Sequence, residues 1–177
     1  MSLSHAIMTA LLDEDLSGYE LAKRFDVSLG FFWSASHQQI YKALKQLHES
    51  ALVSAKDIDQ QGKPNKRIYA LTDSGRKDLD TWVLGETRTK PAKDELLVKM
   101  YNIGRSDLDQ IVAKIEVRRG EHVLKLALFR KIESRQYLDP ENLPLRKKGV
   151  YLALQAGILQ TETSIRWCDD SLSLLKR

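Results

Sequence analysis

The sequence predicts a mainly α-helical protein that contains one small β-hairpin. Hydrophobic residues recur at intervals of three and four along most of the chain, which is the spacing of helices that bury one face. The pattern changes between residues 52 and 71, where two strand-like segments flank a polar loop. With 177 residues, of which 42% are hydrophobic and 29% charged, the chain has an ordinary globular composition and can bury a core.

Three short helices are predicted before the hairpin. The first covers residues 4–12 and the second residues 19–25, with Ser17 as its N-cap and Glu20 completing a capping box. Ser36 is expected to cap the third helix. The apolar stripe of that helix consists of Ile40, Leu44, Leu47 and Ala51.

The hairpin and a fourth helix complete the N-terminal half. Residues 52–57 and 67–71 are strand-like, and the loop between them is rich in Gly, Pro and Asn, which favour turns. A fourth helix is expected to start at Thr72 and run through Trp82. Three helices, a hairpin and a further helix within residues 1–88 describe a winged helix-turn-helix domain.

A second, helical domain is predicted after a boundary near Pro91. This proline follows a stretch rich in Gly, Thr and Arg, so we place the two domains at residues 1–88 and 89–177. The second domain should begin with helices at residues 93–103 and 106–137.

The last helix carries a heptad stripe, the pattern of a coiled-coil pairing surface. We therefore expect an antiparallel or coiled-coil-like helical dimerisation domain. The alternative is that the stripe folds back on the helix that begins at Ser106. Residues 123–129 of that helix are apolar nearly all round and should be enclosed on several sides. The expected dimer-interface residues are Tyr151, Leu154, Ile158, Ile165, Cys168, Leu172 and Leu175.

Several classes of function are excluded by what the sequence lacks. It has one cysteine and four scattered histidines, so neither a disulfide nor a metal site is expected. There is no Gly-rich phosphate loop or nucleophile elbow, so we expect neither an enzyme nor a cofactor. No apolar run could span a membrane and no secretory signal is visible, which predicts a cytoplasmic protein. Cys168 is expected to pack in the heptad stripe, with redox sensing as the alternative.

The charge distribution indicates one basic face. The net charge is only +4, but residues 1–36 contain two basic and five acidic residues, whereas residues 37–77 contain eight basic and four acidic residues. Such a change of sign within one domain is typical of a surface that binds a polyanion.

The polar face of the third helix is the first candidate binding surface. Its apolar stripe fixes the inward face, so Gln38, Lys42 and Lys45 point outward and Tyr41 lies on the flank. In a helix-turn-helix the start of this helix enters the major groove, where a Gln amide can pair with adenine and Tyr or Lys can contact phosphates. The alternative is an ordinary solvated face.

The hairpin loop and the second helix supply further candidates. Lys63, Lys66 and Arg67, with Asn65, could neutralise phosphates or enter the minor groove, and the alternative is an ordinary soluble turn. The hydroxyl of Tyr19 could donate to a phosphate, and the alternative is a half-buried core tyrosine.

The aromatic residues outside these surfaces favour packing. Phe31, Phe32 and Trp33 are adjacent, and such clusters fill cores or dimer contacts more often than ligand pockets. The same interpretation applies to Trp82 and Trp167.

Four segments occur in a characteristic order and spacing. They read SGYEL at residues 17–21, SHQQIYKAL at 36–44, LV at 52–53 and GKPNKRIYALTDSGR at 62–76. Together they resemble the PadR-type winged-helix transcriptional regulators over residues 1–85. The pair Phe32-Trp33, the SHQQ segment and the long helical tail resemble the virulence-activator-like subgroup, which extends the similarity more loosely over the tail.

This resemblance implies a homodimer that binds double-stranded DNA, often as a repressor, with an affinity that responds to small aromatic or other effectors. A dimer presents two reading helices, so the expected operator is an inverted repeat. The main alternative is a winged-helix module for protein–protein assembly that binds no DNA, against which the basic helix and loop argue. The expected DNA contacts are Tyr19, Ser36, His37, Gln38, Gln39, Tyr41, Lys42, Lys45, Lys63, Asn65, Lys66 and Arg67.

One position departs from the family pattern. The sequence has Ala51 where the family usually has the glycine that closes the third helix. A left-handed backbone there would cost Ala about 1 kcal/mol relative to Gly, so this helix end is expected to differ.

Overall fold

The structure is a computed structural model that describes residues 3–27, 35–59, 66–87, 93–105 and 107–176. The chain divides into two compact units, Met1–Thr89 and Lys90–Arg177. The described elements of the first unit are α1 Leu3–Ala10, β1 Leu16–Ser17, α2 Gly18–Val27, α3 His37–Glu49, β2 Val53–Ile58, β3 Lys66–Leu71 and α4 Asp73–Leu84. Those of the second unit are α5 Glu95–Met100, α6 Leu108–Gln136 and α7 Leu145–Leu175.

The first unit has the predicted winged helix-turn-helix order. Its antiparallel sheet has the strand order β1-β3-β2, with Val53 opposite Leu71 and Ile58 opposite Lys66 in the hairpin. The short strand β1 adds to the other edge, where Leu16 lies opposite Tyr69. The hairpin is confirmed, whereas β1 was not predicted because two residues are too few to show an alternating pattern.

One hydrophobic core lies beneath the helices and the sheet. The predicted inward face of α3 is confirmed, because Ile40, Leu44 and Leu47 are all buried. They pack in one cluster with Ile7 of α1 and Leu21 of α2. The burial of this stripe fixes the rotation of α3 about its own axis, and hence which of its side chains face solvent.

The turn after α3 adopts the left-handed backbone that usually requires glycine. Ala51 has a φ of 54°. The N–H of Leu52 donates to the carbonyl of Leu47 at 2.9 Å, and the N–H of Ala51 donates to that of His48 at 3.0 Å, the two bonds of a Schellman motif. The hydroxyl of Thr72 donates to the carbonyl of Ala51 at 2.8 Å. The helix therefore closes as a glycine would close it, and the expected difference at this helix end is wrong.

Replacing Ala51 by Gly is expected to raise the free energy of unfolding of this unit by about 1 kcal/mol, because the left-handed backbone costs Gly nothing. Denaturant unfolding measures the gain. Ala43→Gly inside α3 is the matched control and should lower stability by a similar amount or more, because a helix interior disfavours Gly. A loss of stability in Ala51→Gly would contradict a strained turn.

The second unit is built on an antiparallel pair of long helices, α6 and α7. Lys176, just beyond the end of α7, pairs with Glu116 near the start of α6 at 2.7 Å. Further along, Arg130 of α6 pairs with Glu162 of α7 at 2.6 Å. These exposed ion pairs flank a buried interior and mark an antiparallel register.

The heptad stripe of α7 lies in this intramolecular packing. Leu154, Ile158 and Cys168 are buried within the single chain. The remaining expected interface residues are partly buried, and these are Tyr151, Ile165, Leu172 and Leu175. In the structure, the stripe therefore packs within its own chain, which is the alternative in which α7 folds back on α6. Burial also raises the pKa of the Cys168 thiol, which disfavours the reactive thiolate.

Asp94 attaches the short helix α5 to α6. Its carboxylate accepts the N–H of Leu96 at 3.0 Å and two N–H groups of Arg118 at 2.6 and 2.7 Å. The bidentate Arg118 pair holds the pKa of Asp94 below its usual range. The same guanidinium lies 6.0 Å from the ring centroid of Trp167. Trp167 is partly buried against the cluster that contains Leu96 and Cys168, which supports the predicted packing role.

Candidate nucleic-acid interface

The start of α3 is held by a complete capping box. The Ser36 hydroxyl accepts the N–H of Gln39 at 3.3 Å, and the side-chain oxygen of Gln39 accepts the N–H of Ser36 at 2.8 Å. The predicted cap is confirmed, and it engages both side chains in the backbone. Ser36 and Gln39 are therefore placed to orient the helix, and the Gln39 amide is not free to present its oxygen to a base.

The outward face of α3 carries exposed polar side chains. Gln38 and Lys42 are exposed, and neither makes a side-chain hydrogen bond or ion pair with any residue in the described part of the chain. Lys45 is also exposed, and its Nζ atom lies 3.8 Å from Oε1 of Glu49, one helical turn further along α3. His37 is exposed at the start of the helix. The face of α3 that the sequence predicts to bind DNA thus carries an accessible amide, that of Gln38, and an accessible cation, Lys42.

Tyr41 lies on the flank of this face and contacts the start of α2. A Cβ atom added to Gly18 would lie 2.3 Å from Cε1 of Tyr41, so the ring occupies the space that a side chain at residue 18 would need. Tyr41 is only half-exposed. It is therefore placed to fix the distance between α2 and α3 as well as to reach outward.

Tyr19 is 67% exposed. This exposure excludes the alternative of a half-buried core tyrosine. Its position at the second residue of α2 places the phenol near the helix N-terminus, where backbone N–H groups favour a bound anion.

Two cations of the wing, the hairpin formed by β2 and β3, are paired within the protein. Lys66, the first residue of β3, donates to the carboxylate of Glu20 in α2 at 2.8 Å. Arg67 lies 3.4 Å from Asp57 across the hairpin. Lys63 and Asn65 lie outside the described residues. The sequence predicts Lys66 and Arg67 as DNA contacts, but it does not predict their acidic partners Glu20 and Asp57.

Glu20 is the best-anchored acidic group of this surface. Its carboxylate accepts the N–H of Ser17 at 2.9 Å and the Ser17 hydroxyl at 2.7 Å, which confirms the predicted capping box. The hydrogen bond from Lys66, followed by those from Ser17, lowers the pKa of Glu20 to about 2. Glu20 is therefore ionised throughout the neutral range.

The remaining predicted features lie apart from this surface or outside the described residues. Phe31, Phe32 and Trp33 are outside. Trp82 stacks on His5 with 4.7 Å between ring centroids, which supports a packing role. Among the residues with assigned positions, no group of His, Cys, Asp or Glu could hold a metal ion. No helix of the described segments is long and apolar enough to cross a membrane.

Two family models match the chain. The model described as "Transcriptional regulator PadR-like family" matches residues 7–81, and the one described as "Virulence activator alpha C-term" matches residues 92–176. The first match covers the helix-turn-helix and the wing, and the second covers the helical unit.

Individual proteins are similar over nearly the whole chain. The probable transcriptional regulator Rv1176c of Mycobacterium tuberculosis is 36% identical, with 99% of this chain and 98% of that protein covered. The negative transcriptional regulator PadR of Bacillus subtilis is 30% identical, with the same coverage. Its crystal structure with operator DNA has a TM-score of 0.81 at 28% identity, and the match covers 98% of each chain.

Two further structures extend the comparison. The Vibrio cholerae virulence activator AphA has a TM-score of 0.79 at 28% identity, covering 99% of this chain and 98% of that one. Bacillus subtilis PadR in complex with p-coumaric acid has a TM-score of 0.72 at 25% identity, covering 99% and 96%.

Proposed function

The chain belongs to the PadR-like family of transcriptional regulators, whose members are not enzymes, and from this premise we propose that it acts as a homodimer on an inverted-repeat DNA operator. The observation that carries the proposal is the outward face of α3. Ile40, Leu44 and Leu47 hold the opposite face in the core, so Gln38 and Lys42 face solvent and have no side-chain partner among the residues that the structure describes. A helix held in this way can enter the major groove without rearranging.

The candidate contacts divide by chemistry. Gln38 can pair with both N6 and N7 of adenine, which reads sequence. Lys42, Lys45 and the hydroxyl of Tyr19 suit phosphates, which fix position and supply affinity. His37 and Tyr41 lie where either kind of contact can form, and Ser36 and Gln39 orient the helix that carries them. Lys63 and Asn65 of the wing complete the proposed surface.

The proposed dimer uses an apolar strip on the face of α6 that points away from α7. Val117 is 64% exposed and Leu124 is 75% exposed, and Leu128 continues the strip one turn further on. These residues follow each other at intervals of seven and four, so they lie in line along the helix. The sequence predicts that residues 123–129 are enclosed on several sides, but in a single chain Leu124 and Leu128 of this segment remain exposed. A second copy of the chain would cover it, because soluble proteins rarely leave such strips in water.

Changing Leu124 to Lys is expected to weaken the dimer at least tenfold and leave the monomer folded, because the side chain is exposed in one chain and buried in the proposed pair. Sedimentation equilibrium measures the association constant, and circular dichroism measures folding. Leu159→Lys is the matched control, since Leu159 on α7 is also well exposed, at 61%. A wild-type monomer at micromolar concentration would contradict the dimer. Dissociation by Leu159→Lys alone would move the interface to α7.

The function itself is tested by selecting bound sequences from a random DNA pool and measuring anisotropy on the selected site. We expect an inverted repeat whose half-sites are about 34 Å apart. Recovery of no preferred sequence would favour the alternative of a protein–protein module. The relative from Bacillus subtilis was crystallised with p-coumaric acid, which supports an effector as part of the proposal. The same titration with this acid present should therefore change the dissociation constant.

A further inference from the structure

An ion pair joins Lys66, the first residue of β3, to Glu20 at the start of α2. The Nζ atom of Lys66 lies 2.8 Å from Oε1 of Glu20, and both side chains are about one-third exposed, at 34% and 40%. The other oxygen of Glu20 is held by the N–H and the hydroxyl of Ser17. The carboxylate is thus held in place by Ser17 as well, whereas the only partner of the Lys66 ammonium among the described residues is Glu20.

We infer that Glu20 is a positioning residue that holds Lys66 on the protein and thereby keeps it from neutralising a DNA phosphate. This inference rests on the proposed function, since it concerns the same surface. The carboxylate occupies the place at the lysine head group that a phosphate oxygen would take. It also lies at the N-terminus of α2, next to the exposed Tyr19, where a phosphate would be favoured.

In the described part of the wing, the cation next to Lys66 is paired with a different carboxylate. Arg67, the neighbour of Lys66, is directed to Asp57 on β2 at 3.4 Å. That pair is longer and more exposed than the pair of Glu20, so it restrains its cation less firmly. Lys66 is therefore the cation whose availability Glu20 controls.

The physical consequence concerns the salt dependence of binding. A lysine that contacts a phosphate releases condensed counterions and adds about 0.9 to the slope of log K against log salt. A lysine already paired with a carboxylate releases none. Removing the charge of Glu20 should therefore add one such contact, which tightens binding up to about eightfold at 0.1 M salt. The gain should be equal on the selected site and on random DNA, because phosphate contacts carry no sequence information.

The experiment compares Glu20→Gln, Lys66→Met and the double variant in the full chain, with the salt slope measured on the selected site and on random DNA. Gln at this position keeps the capping box, so α2 should stay folded, which circular dichroism checks. We expect Glu20→Gln to steepen the slope by about 0.9. The steepening should vanish when Lys66 is also Met. Glu14→Gln is the control, because it removes the same charge from a pair with Arg24 and not from the wing.

A Glu20→Gln protein with the wild-type slope would overturn the inference and leave the proposed function intact. Steepening that persists without Lys66, or that Glu14→Gln reproduces, would also overturn it, since the effect would then come from net charge alone. Absence of DNA binding by the wild-type chain would overturn the proposed function and the inference with it.

Discussion

Replacing Gly75 by Ala is expected to lower the free energy of unfolding of the first unit by about 3 kcal/mol. Gly75 lies in the first turn of α4, where the chain passes very close to the end of α3. An added Cβ atom would lie 2.1 Å from the carbonyl oxygen of Leu52 and 2.8 Å from Cδ1 of Leu71. No real Cβ atom approaches so closely, so the backbone must shift.

The shift is costly because the same oxygen holds the turn together. The carbonyl of Leu52 accepts the N–H of Thr72 at 3.2 Å and its hydroxyl at 3.0 Å. The hydroxyl of Thr72 in turn accepts the N–H of Gly75 at 3.0 Å as the cap of α4. Moving Leu52 away from a new methyl group would therefore break the contacts that join α3, the wing and α4.

Hydrogen exchange under denaturant measures this effect separately in the two units. Gly149→Ala in α7 is the matched control, because a Cβ atom there meets nothing within 4 Å and Ala favours the helix. The control should leave the first unit unchanged and slightly stabilise the second. Full stability of Gly75→Ala would mean that α4 and the end of α3 are packed less closely than the structure has them.

Local sequence signals predicted the parts of the site that depend on one element. The spacing of Ile40, Leu44 and Leu47 gave the rotation of α3, and their burial confirms it. The capping box of Ser17 and Glu20 was predicted from residue types three positions apart, and Ser36 was predicted as the cap of α3, and both are confirmed. Such features need only the geometry of one helix, which the sequence specifies directly.

Features that join distant segments were not predicted. Glu20 and Lys66 are 46 residues apart, and neither segment contains a sequence signal that identifies the other as its partner. The heptad stripe of α7 specified an apolar helical partner, but such a stripe does not state whether that partner belongs to the same chain. Ile158 is buried within the single chain, and the exposed strip that includes Leu124 is not predicted as a separate surface.

Gln38→Ala is expected to weaken binding to the selected site by about 1–3 kcal/mol, which is roughly 5- to 150-fold. The variant removes a bidentate amide from a helix whose orientation other residues fix, so the fold should be unchanged. Random DNA should be bound almost as before, because a base contact adds little where the matching base is absent. Lys42→Ala is the matched control on the same face, and it should weaken both kinds of DNA by similar factors.

The most direct test of base reading by α3 is the ratio of the dissociation constants for random and selected DNA, measured for the wild type and Gln38→Ala at one fixed salt concentration. We expect the ratio to fall by the same 5- to 150-fold in Gln38→Ala and to stay constant in Lys42→Ala. An unchanged ratio in Gln38→Ala would contradict the assignment of the reading face and place base recognition elsewhere in the protein.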